Sequence, residues 1–293
     1  MLSSAEVQRT KADYNGKLIV KKLHQTNFLR RMILPALLRL KLIDISIRHH
    51  WTGDKITLDP IKHKDYWFHG KNRINKSMLL LPDLIRKGDS VLEIGGHIGY
   101  LSLYFANLTG REGRVTVFEP GPNNLPYIRK NTKGNSCISV IDKAVTDYTG
   151  TAKFFIENLT GQNNSLLEDF ELRNKVHSSA YINSVEKNVV EVDCITLDGF
   201  LVKTQLPISS FIKIDCEGAE LNALIGMKTT IGKNKIVIMI LVLENANDVF
   251  SLLADSGFKM FSPDKSPIRD GRDMKGYIFC VKENDDRIMK FKN

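Results

Sequence analysis

After about residue 76, the chain alternates short apolar runs of strand length with helical or loop stretches. The runs are rich in β-branched residues, and the stretches between them place apolar residues at helical spacing. Short apolar strands that alternate with helices indicate an α/β fold with a mostly parallel sheet covered by helices on both faces. The predicted strands are residues 90–94, 114–118, 137–141, 211–214, 236–243, 258–261 and 277–281. The predicted helices are residues 76–87, 101–108, 125–131, 219–227 and 249–256.

Three stretches depart from this alternation. Residues 157–187 form a polar excursion ahead of a predicted strand at residues 189–194. Its length favours a substrate-covering loop or a small helical cap rather than an inert connection. Residues 28–43 are leucine-rich with interspersed basic residues, and Pro35 should begin or kink a helix there. Residues 51–70 are rich in aromatic and histidine side chains, which we expect to pack against the regular part or to form one wall of its ligand pocket.

Charge divides the chain at the same place. The 293 residues include 42 Lys and Arg against 33 Asp and Glu, a formal net charge of +9. Residues 1–75 hold 15 basic and 6 acidic side chains, whereas residues 76–293 hold 27 of each. We therefore predict a basic, partly helical extension over residues 1–75 and a neutral domain over residues 76–293. A nucleic-acid-binding protein that uses this extension is an alternative, but we expect no nucleic-acid partner, because the extension contains no stacking motif and no dense basic run.

Composition narrows the class of protein further. A hydrophobic fraction of 42% and a charged fraction of 26% are ordinary for a globular protein. No apolar run reaches the ~18 residues that cross a bilayer, and the start lacks the apolar run of a secretory signal, so we predict a cytoplasmic location. Peripheral contact of residues 28–43 with an anionic membrane stays open. The four cysteines lie far apart, which argues against a zinc site, and we expect no bound metal.

Acidic residues end or follow five of the predicted strands. In an open parallel sheet, ligands bind beyond the carboxyl ends of the strands. Several carboxylates on one rim repel one another and lose hydration unless a ligand or hydrogen-bond donors compensate them. The acids are Glu93, Glu119, Asp142, Asp215 with Glu217, and Glu244. The rim therefore suits a ligand that carries positive charge.

A glycine loop after the first strand of the domain is the most specific motif. Gly95 and Gly99 allow a tight turn from strand to helix and a close approach to a ligand. His97 stands where the dinucleotide motif G-x-G-x-x-G has its second glycine. Glu119 lies 20 residues past Gly99, at the end of the next strand, where a carboxylate can bind both ribose hydroxyls. A ribose together with an ammonium group describes S-adenosyl-L-methionine better than NAD, and an NAD-linked oxidoreductase is the alternative.

These residues resemble the FkbM-type methyltransferases. The resemblance spans about residues 76–281 and is carried by residues 91–100, 118–120, 196–198 and 211–220, of which the last block is the most specific. It implies a Rossmann-like class I methyltransferase domain with a seven-stranded sheet. It also implies S-adenosyl-L-methionine as methyl donor and, as the usual acceptor, a hydroxyl oxygen of a sugar or natural product. Many members have Asp and a Gly-Ala pair in the first motif, where this chain has Glu93 and Gly95-Gly96.

The resemblance also suggests a role for each site residue. Glu119 would bind the ribose, and Asp215 would lie beside the cofactor. Glu217 would act as the general base or bind the acceptor, and Glu244 would assist from the next strand. As an alternative, Asp215 and Glu217 would only cap the helix that starts near Ala219. The expected contacts to the methionine end are Glu93, Gly95 and Gly99, with Gly96 and His97 as further cofactor contacts, and Asp142 and Ala144 would border the adenine.

Overall fold

The computed structural model describes residues 43–68, 75–157, 162–168, 187–207, 209–233 and 235–292. The strands in these residues are β1 Ile45–Arg48, β2 Lys55–Leu58, β3 Ser90–Ile94, β4 Arg114–Phe118, β5 Ile138–Ile141, β6 Ala144–Val145, β7 Gly150–Glu157, β8 Lys187–Ile195, β9 Phe211–Ile214, β10 Val237–Leu241, β11 Phe258–Phe261, β12 Pro267–Ile268 and β13 Tyr277–Lys282. The α-helices are α1 Lys64–Phe68, α2 Asn75–Leu84, α3 Tyr100–Thr109, α4 Leu125–Thr132, α5 Leu197–Thr204, α6 Glu220–Ile225, α7 Lys228–Lys233 and α8 Ala246–Asp255. Short 3-10 helices follow β12 and β13.

The central sheet has the strand order β12-β11-β13-β10-β9-β3-β4-β5. The five strands β10, β9, β3, β4 and β5 are parallel. Beyond β10 follow β13, β11 and β12, and each of these runs antiparallel to the strand before it. All seven predicted strands are present, so the predicted fold class is confirmed, but the count of seven was wrong. The eighth strand, β12, has two residues and includes Pro267, so it is too short to leave an alternating pattern and is confined to the sheet edge.

Both faces of the parallel strands are buried, and alternate residues face opposite sides. Val91 and Phe211 join the core beneath α2, α3 and α4, whereas Leu92 and Ile212 join the core beneath α5, α6 and α8. By the same alternation, Glu93 and Lys213 are directed to the first face, and they are register partners on β3 and β9. The sequence therefore places two charged side chains next to each other in the centre of the sheet.

A long antiparallel hairpin stands apart from the central sheet. Strands β7 and β8 pair from Gly150 opposite Cys194 to Glu157 opposite Lys187, and this pairing confirms the strand predicted at residues 189–194. Of the polar excursion predicted between the two strands, the structure describes residues 162–168, which return to β7 through a bridge between Phe155 and Ser165. The rest of the excursion lies outside the described residues.

Residues 43–68 pack against the larger domain. The side chain of Asn131 on α4 accepts a hydrogen bond from the Thr57 backbone N–H at 2.7 Å and donates to the Thr57 and Ile98 carbonyls. Ile56 and Tyr66 belong to the same buried core as α2 and α3. The first part of the predicted extension, including almost all of the helix predicted at 28–43, lies outside the described residues. Within the described part of the chain, no helix is long and apolar enough to cross a membrane.

The Thr196-Leu197-Asp198 motif has a structural role. The Thr196 side chain accepts a hydrogen bond from the Gly199 N–H and so caps α5. Asp198 accepts hydrogen bonds from the backbone N–H groups of Thr229 and Thr230 in the first turn of α7. Because side-chain acceptors satisfy the free N–H groups at helix starts, this motif fixes two helices on one face of the sheet.

Candidate active site

A cleft opens at the carboxyl ends of β3, β4 and β9, the edge at which an open parallel sheet binds its ligands. Tyr277 reaches the same edge because β13 runs antiparallel to its neighbour β10. The predicted site residues that line the cleft are Glu93, Gly95, Gly96, His97, Glu119, Ala144, Asp215 and Glu217. Gly99, Asp142 and Glu244 do not line it.

The glycine loop passes between two strands at very close range. Gly95 has a left-handed φ of +84°, and a Cβ atom there would lie 1.9 Å from the backbone oxygen of Asp215. A Cβ at Gly96 would lie 2.3 Å from the side chain of Val117 on β4. A side chain at Gly95 would clash with the backbone that follows β9, and one at Gly96 would require the Val117 side chain to move. Glycine at both positions therefore allows the loop to approach β9 and β4 this closely.

Glu119 is buried and holds the glycine loop. Its Oε2 accepts a hydrogen bond from the His97 N–H at 2.7 Å, and its Oε1 accepts from the Gly121 N–H at 2.8 Å and from the Asn124 side chain at 3.2 Å. Burial raises the pKa of Glu119, and these hydrogen bonds oppose the rise. Each carboxylate oxygen has two lone pairs, so Oε2 can accept one further hydrogen bond from a ribose hydroxyl.

Glu93 and Lys213 form a buried pair of opposite charge below the loop. Burial raises the pKa of Glu93 to about 7, against the opposing effects of Lys213 and of the Ser102 hydroxyl, which donates to Glu93 Oε2 at 2.5 Å. Burial alone lowers the pKa of Lys213, but the carboxylates of Asp215 and Glu93 raise it above its ordinary value. Lys213 Nζ donates to the Gly95 carbonyl at 2.6 Å, so it also fixes the loop.

Asp215 extends the chain of charges into the cleft. Its Oδ2 accepts a hydrogen bond from the Tyr277 hydroxyl at 2.5 Å and lies 3.4 Å from Lys213 Nζ. Its Oδ1 is buried and has no hydrogen-bond partner among the described residues. An unsatisfied buried carboxylate oxygen costs ~1–3 kcal/mol. A ligand donor in the cleft would remove that cost.

Glu217 lines the cleft beside Asp215 in an uncommon backbone conformation. Its φ is +53°, and the following Gly218 has a φ of +96°. The carbonyl of Glu217 accepts a hydrogen bond from the Ser165 hydroxyl at 2.6 Å, so residues 162–168 help to hold this turn. A non-glycine residue held in the left-handed region stores strain, and such residues cluster at functional sites.

Tyr66 forms a wall of the cleft from residues 43–68. Its hydroxyl is hydrogen-bonded to His97 Nδ1 at 2.8 Å, and the two rings stack at a centroid distance of 5.7 Å. The His63 ring packs edge-on against the His97 ring, with the ring centroids 5.3 Å apart. The aromatic and histidine segment therefore both packs on the domain and contributes to the cleft, which were the two roles expected for it.

Three predicted residues lie elsewhere. Asp142 is exposed and pairs with Arg129 at 2.9 Å, and its neighbour Ala144 lines the cleft instead. Gly99 begins α3 with a φ of +84°, and a Cβ there would lie 3.1 Å from Ile128, so its smallness serves helix packing. Glu244 is half-buried beyond the end of β10.

Sequence reasoning missed several residues of the cleft. Lys213 gave one usable signal, since it is the only charged residue in the apolar strand Phe211–Ile214. Tyr277 and Asn164 come from separate parts of the chain and belong to no motif, so only the fold shows that they meet. Among the described residues, no group of three or more His, Cys, Asp or Glu side chains is arranged to hold a metal ion.

The cleft fits a cofactor with a ribose and a cationic end. Glu119 offers a carboxylate on one side, and Glu93 and Asp215 offer carboxylates on the other, with the narrow glycine loop between them. A pyrophosphate would meet repulsion from Glu93, whereas a sulfonium or ammonium group would be attracted. These features define a class I methyltransferase site on a Rossmann-like sheet.

Comparison with known proteins assigns the family. Residues 93–260 match the family model described as the methyltransferase FkbM domain, so the chain belongs to the FkbM methyltransferase family. The predictions of this family, and of S-adenosyl-L-methionine as the cofactor of a methyltransferase of this class, are confirmed. A search of curated proteins gave no significant match.

Solved structures with similar folds are distant in sequence. The methyltransferase FkbM from Methylobacillus flagellatus KT has 17% identity and a TM-score of 0.42, over 66% of this chain and 43% of that one. This chain thus spans less than half of that relative. An S-adenosylmethionine-dependent O-methyltransferase from Thermotoga maritima has 10% identity and a TM-score of 0.41, over 71% of this chain and 64% of that one. Fibrillarin from Aeropyrum pernix, with natively bound S-adenosyl-L-methionine, has 13% identity and a TM-score of 0.34, over 70% of this chain and 72% of that one.

Proposed function

We propose that the protein is an S-adenosyl-L-methionine-dependent O-methyltransferase that acts on a hydroxyl group of a sugar or another small molecule. The observation that supports it most strongly is the convergence of Glu93, Glu119 and Asp215 on one cleft beside the glycine loop. Three carboxylates around a closely packed backbone loop match a cofactor that has a ribose, an ammonium and a sulfonium. The family supplies the class of reaction.

Different residues would hold different parts of the cofactor. Glu119 would accept a hydrogen bond from a ribose hydroxyl at Oε2, and its bond to the His97 N–H keeps the loop in place for that contact. Glu93 and the backbone at Gly95 and Gly96 would face the methionine end. Ala144, from the short strand β6, leaves room at the adenine side of the cleft. Asp142 and Glu244 have no part in this arrangement.

The acceptor would lie near Asp215 and Glu217. The bound cofactor supplies an activated methyl group on a sulfonium, so the protein has to align an acceptor oxygen with that methyl and exclude water. An alcohol also needs a base nearby for its proton. Both carboxylates face the cleft, and neither belongs to the set that holds the ribose.

Amide and aromatic side chains favour a neutral, hydroxylated acceptor. Asn164 and Gln162 line the cleft from the excursion after β7, and Tyr66 and Tyr277 line it from opposite ends of the chain. Amides can donate to and accept from hydroxyl groups, while ring faces pack on the apolar side of a sugar. A strongly anionic acceptor would be repelled by the carboxylates of the same cleft.

The test is to incubate the protein with S-adenosyl-L-methionine labelled in its methyl group and a metabolite extract, and to identify labelled products by mass spectrometry. We expect label in one or a few products that carry a new methyl ether. The Glu119→Ala variant and an incubation without protein serve as controls. Label only on nitrogen, carbon or sulfur would reject O-methylation. Transfer at the same rate by Glu119→Ala would reject this cleft as the site.

A further inference from the structure

The two oxygens of Asp215 have different surroundings. Oδ2 is held on two sides, by the Tyr277 hydroxyl at 2.5 Å and by Lys213 Nζ at 3.4 Å. Oδ1 is buried at the cleft without a hydrogen-bond partner in the described part of the chain. Tyr277 lies on β13 and Lys213 on β9, the two strands on either side of β10, so the sheet itself fixes the carboxylate.

We propose that Lys213 and Tyr277 are positioning residues that hold Asp215 so that its Oδ1 receives the proton of the acceptor hydroxyl. The inference rests on the proposed function, and it names the residue that acts at the acceptor. Lys213 also donates to the Gly95 carbonyl at 2.6 Å. A single ammonium therefore joins the carboxylate to the loop that faces the cofactor, and fixes the distance between the methyl donor and the base.

The chemical step balances without a further reactant. The acceptor oxygen attacks the methyl carbon as the carbon–sulfur bond breaks, and the bonding electron pair moves to sulfur. The O–H proton passes to Asp215 Oδ1 and later to water. The products are a methyl ether, S-adenosyl-L-homocysteine and a proton.

The surroundings of Asp215 suit this role. Tyr277 and Lys213 hold one of its oxygens, and the other is buried without a hydrogen-bond partner among the described residues. A base that acts at one atom gains most from a fixed orientation, because misplacement by about 1 Å can cost ~100-fold in rate.

A cofactor analogue tests the position without knowledge of the acceptor. Sinefungin replaces the methylsulfonium by a carbon that bears an amine, and this amine lies where the transferred methyl would be. S-Adenosyl-L-homocysteine lacks both the methyl and the amine. The ratio of their dissociation constants therefore measures how strongly the protein binds a donor at the methyl position, and contacts common to both ligands cancel.

We expect the wild-type protein to prefer sinefungin, and Asp215→Asn to lose ~10-fold or more of that preference, as a charge-assisted hydrogen bond would. Tyr277→Phe should lose part of it, ~3- to 10-fold, while its affinity for S-adenosyl-L-homocysteine stays within about twofold of wild type. Glu217→Gln should keep the preference. Tyr148→Phe is the matched control, since the Tyr148 hydroxyl contacts the Thr151 carbonyl away from the cleft.

Two results would overturn the proposal. One is a sinefungin preference that survives both Asp215→Asn and Tyr277→Phe. The other is a preference lost in Glu217→Gln alone. Lys213→Met removes a buried charge that interacts with two carboxylates, so the folding of this variant is checked first. If Lys213→Met does not fold, Tyr277→Phe alone tests the positioning role. Absence of binding of either ligand to the wild-type protein would instead reject the proposed function.

Discussion

Glu93 on β3 and Lys213 on β9 are direct register partners at the centre of the sheet, and both are buried beneath the glycine loop. The pair carries two separate functions. Lys213 fixes the loop through the Gly95 carbonyl, and Glu93 presents a carboxyl group to the cleft. Each residue also affects the charge of the other, because Lys213 lowers the pKa of Glu93 and Glu93 raises the pKa of Lys213.

The affinity for S-adenosyl-L-methionine should depend on pH through Glu93. Burial raises the pKa of Glu93 to about 7, so the carboxyl is largely protonated in the free protein at about pH 5.5 and half ionised at about pH 7. A cationic ligand favours the ionised form. We therefore expect roughly tenfold tighter binding at about pH 7 than at about pH 5.5, with release of protons on binding.

Calorimetric titration at the two pH values, in buffers of different ionisation enthalpy, measures both quantities. Glu93→Gln should bind more weakly and with little pH dependence. Glu220→Gln is the control, because burial also raises the pKa of Glu220 to about 7 but this residue does not line the cleft. If Glu93→Gln kept the full pH dependence, another group would have to be responsible.

Stability should depend on pH through Glu220. This residue is fully buried, and its Oε1 accepts hydrogen bonds from the Cys216 and Gly218 N–H groups. Its folded-state pKa of about 7 lies above the ordinary value of 4.5, so the folded protein binds this proton more tightly than the unfolded chain. Its contribution to the free energy of unfolding is complete below the ordinary value and is lost as the pH rises through about 7.

The side chain of the Glu220→Gln variant is neutral at every pH, so this variant should not lose stability as the pH rises through about 7. We expect the variant to be about 2 kcal/mol more stable than wild type at about pH 8 and nearly equal at about pH 4.5. Urea unfolding at both pH values provides the measurement. Glu112→Gln, at an exposed position, should match wild type throughout. Equal stability of Glu220→Gln and wild type at the higher pH would contradict the assignment.

A comparison of Gly95→Ala with Gly134→Ala tests whether the glycine loop packs too closely to admit a side chain. Both have a left-handed φ, +84° and +88°, but a Cβ at Gly95 would lie 1.9 Å from the Asp215 carbonyl oxygen whereas that at Gly134 would meet open space. Gly134→Ala should cost only the backbone strain of ~1–2 kcal/mol. Gly95→Ala should cost more in urea unfolding and should bind no cofactor. Equal costs for the two variants would show that the loop can move away.

The sequence predicted the sheet better than the site. Seven strands were visible because each is an apolar run long enough to show a pattern, while the two-residue strand β12 is not. The acids at strand ends were visible too, but a strand end does not tell which way a side chain turns. Asp142 turns to Arg129, whereas Asp215 turns into the cleft. Tyr277 had no signal in the sequence, because an antiparallel strand brings it to Asp215 from 62 residues away.

Tyr66 should contribute to cofactor binding although it precedes the family-matched region. Tyr66→Phe keeps the ring that stacks on His97 and removes the hydroxyl that is hydrogen-bonded to His97 Nδ1. Loss of one such bond, worth ~1 kcal/mol, should weaken S-adenosyl-L-methionine about fivefold through looser placement of the loop. Calorimetry with Tyr148→Phe as control measures this effect. An unchanged affinity for S-adenosyl-L-methionine would show that Tyr66 contributes only to packing.

The central claim is that this cleft binds S-adenosyl-L-methionine with its ribose at Glu119. Calorimetric titration of S-adenosyl-L-methionine and of NAD into the wild-type protein and into folded Glu119→Ala and Glu119→Gln tests it most directly. The account predicts that the wild-type protein binds one S-adenosyl-L-methionine per chain and no NAD. It also predicts that binding to Glu119→Ala is lost and binding to Glu119→Gln is at least ~10-fold weaker. Wild-type affinity in both variants, or tight NAD binding without S-adenosyl-L-methionine binding, would contradict it.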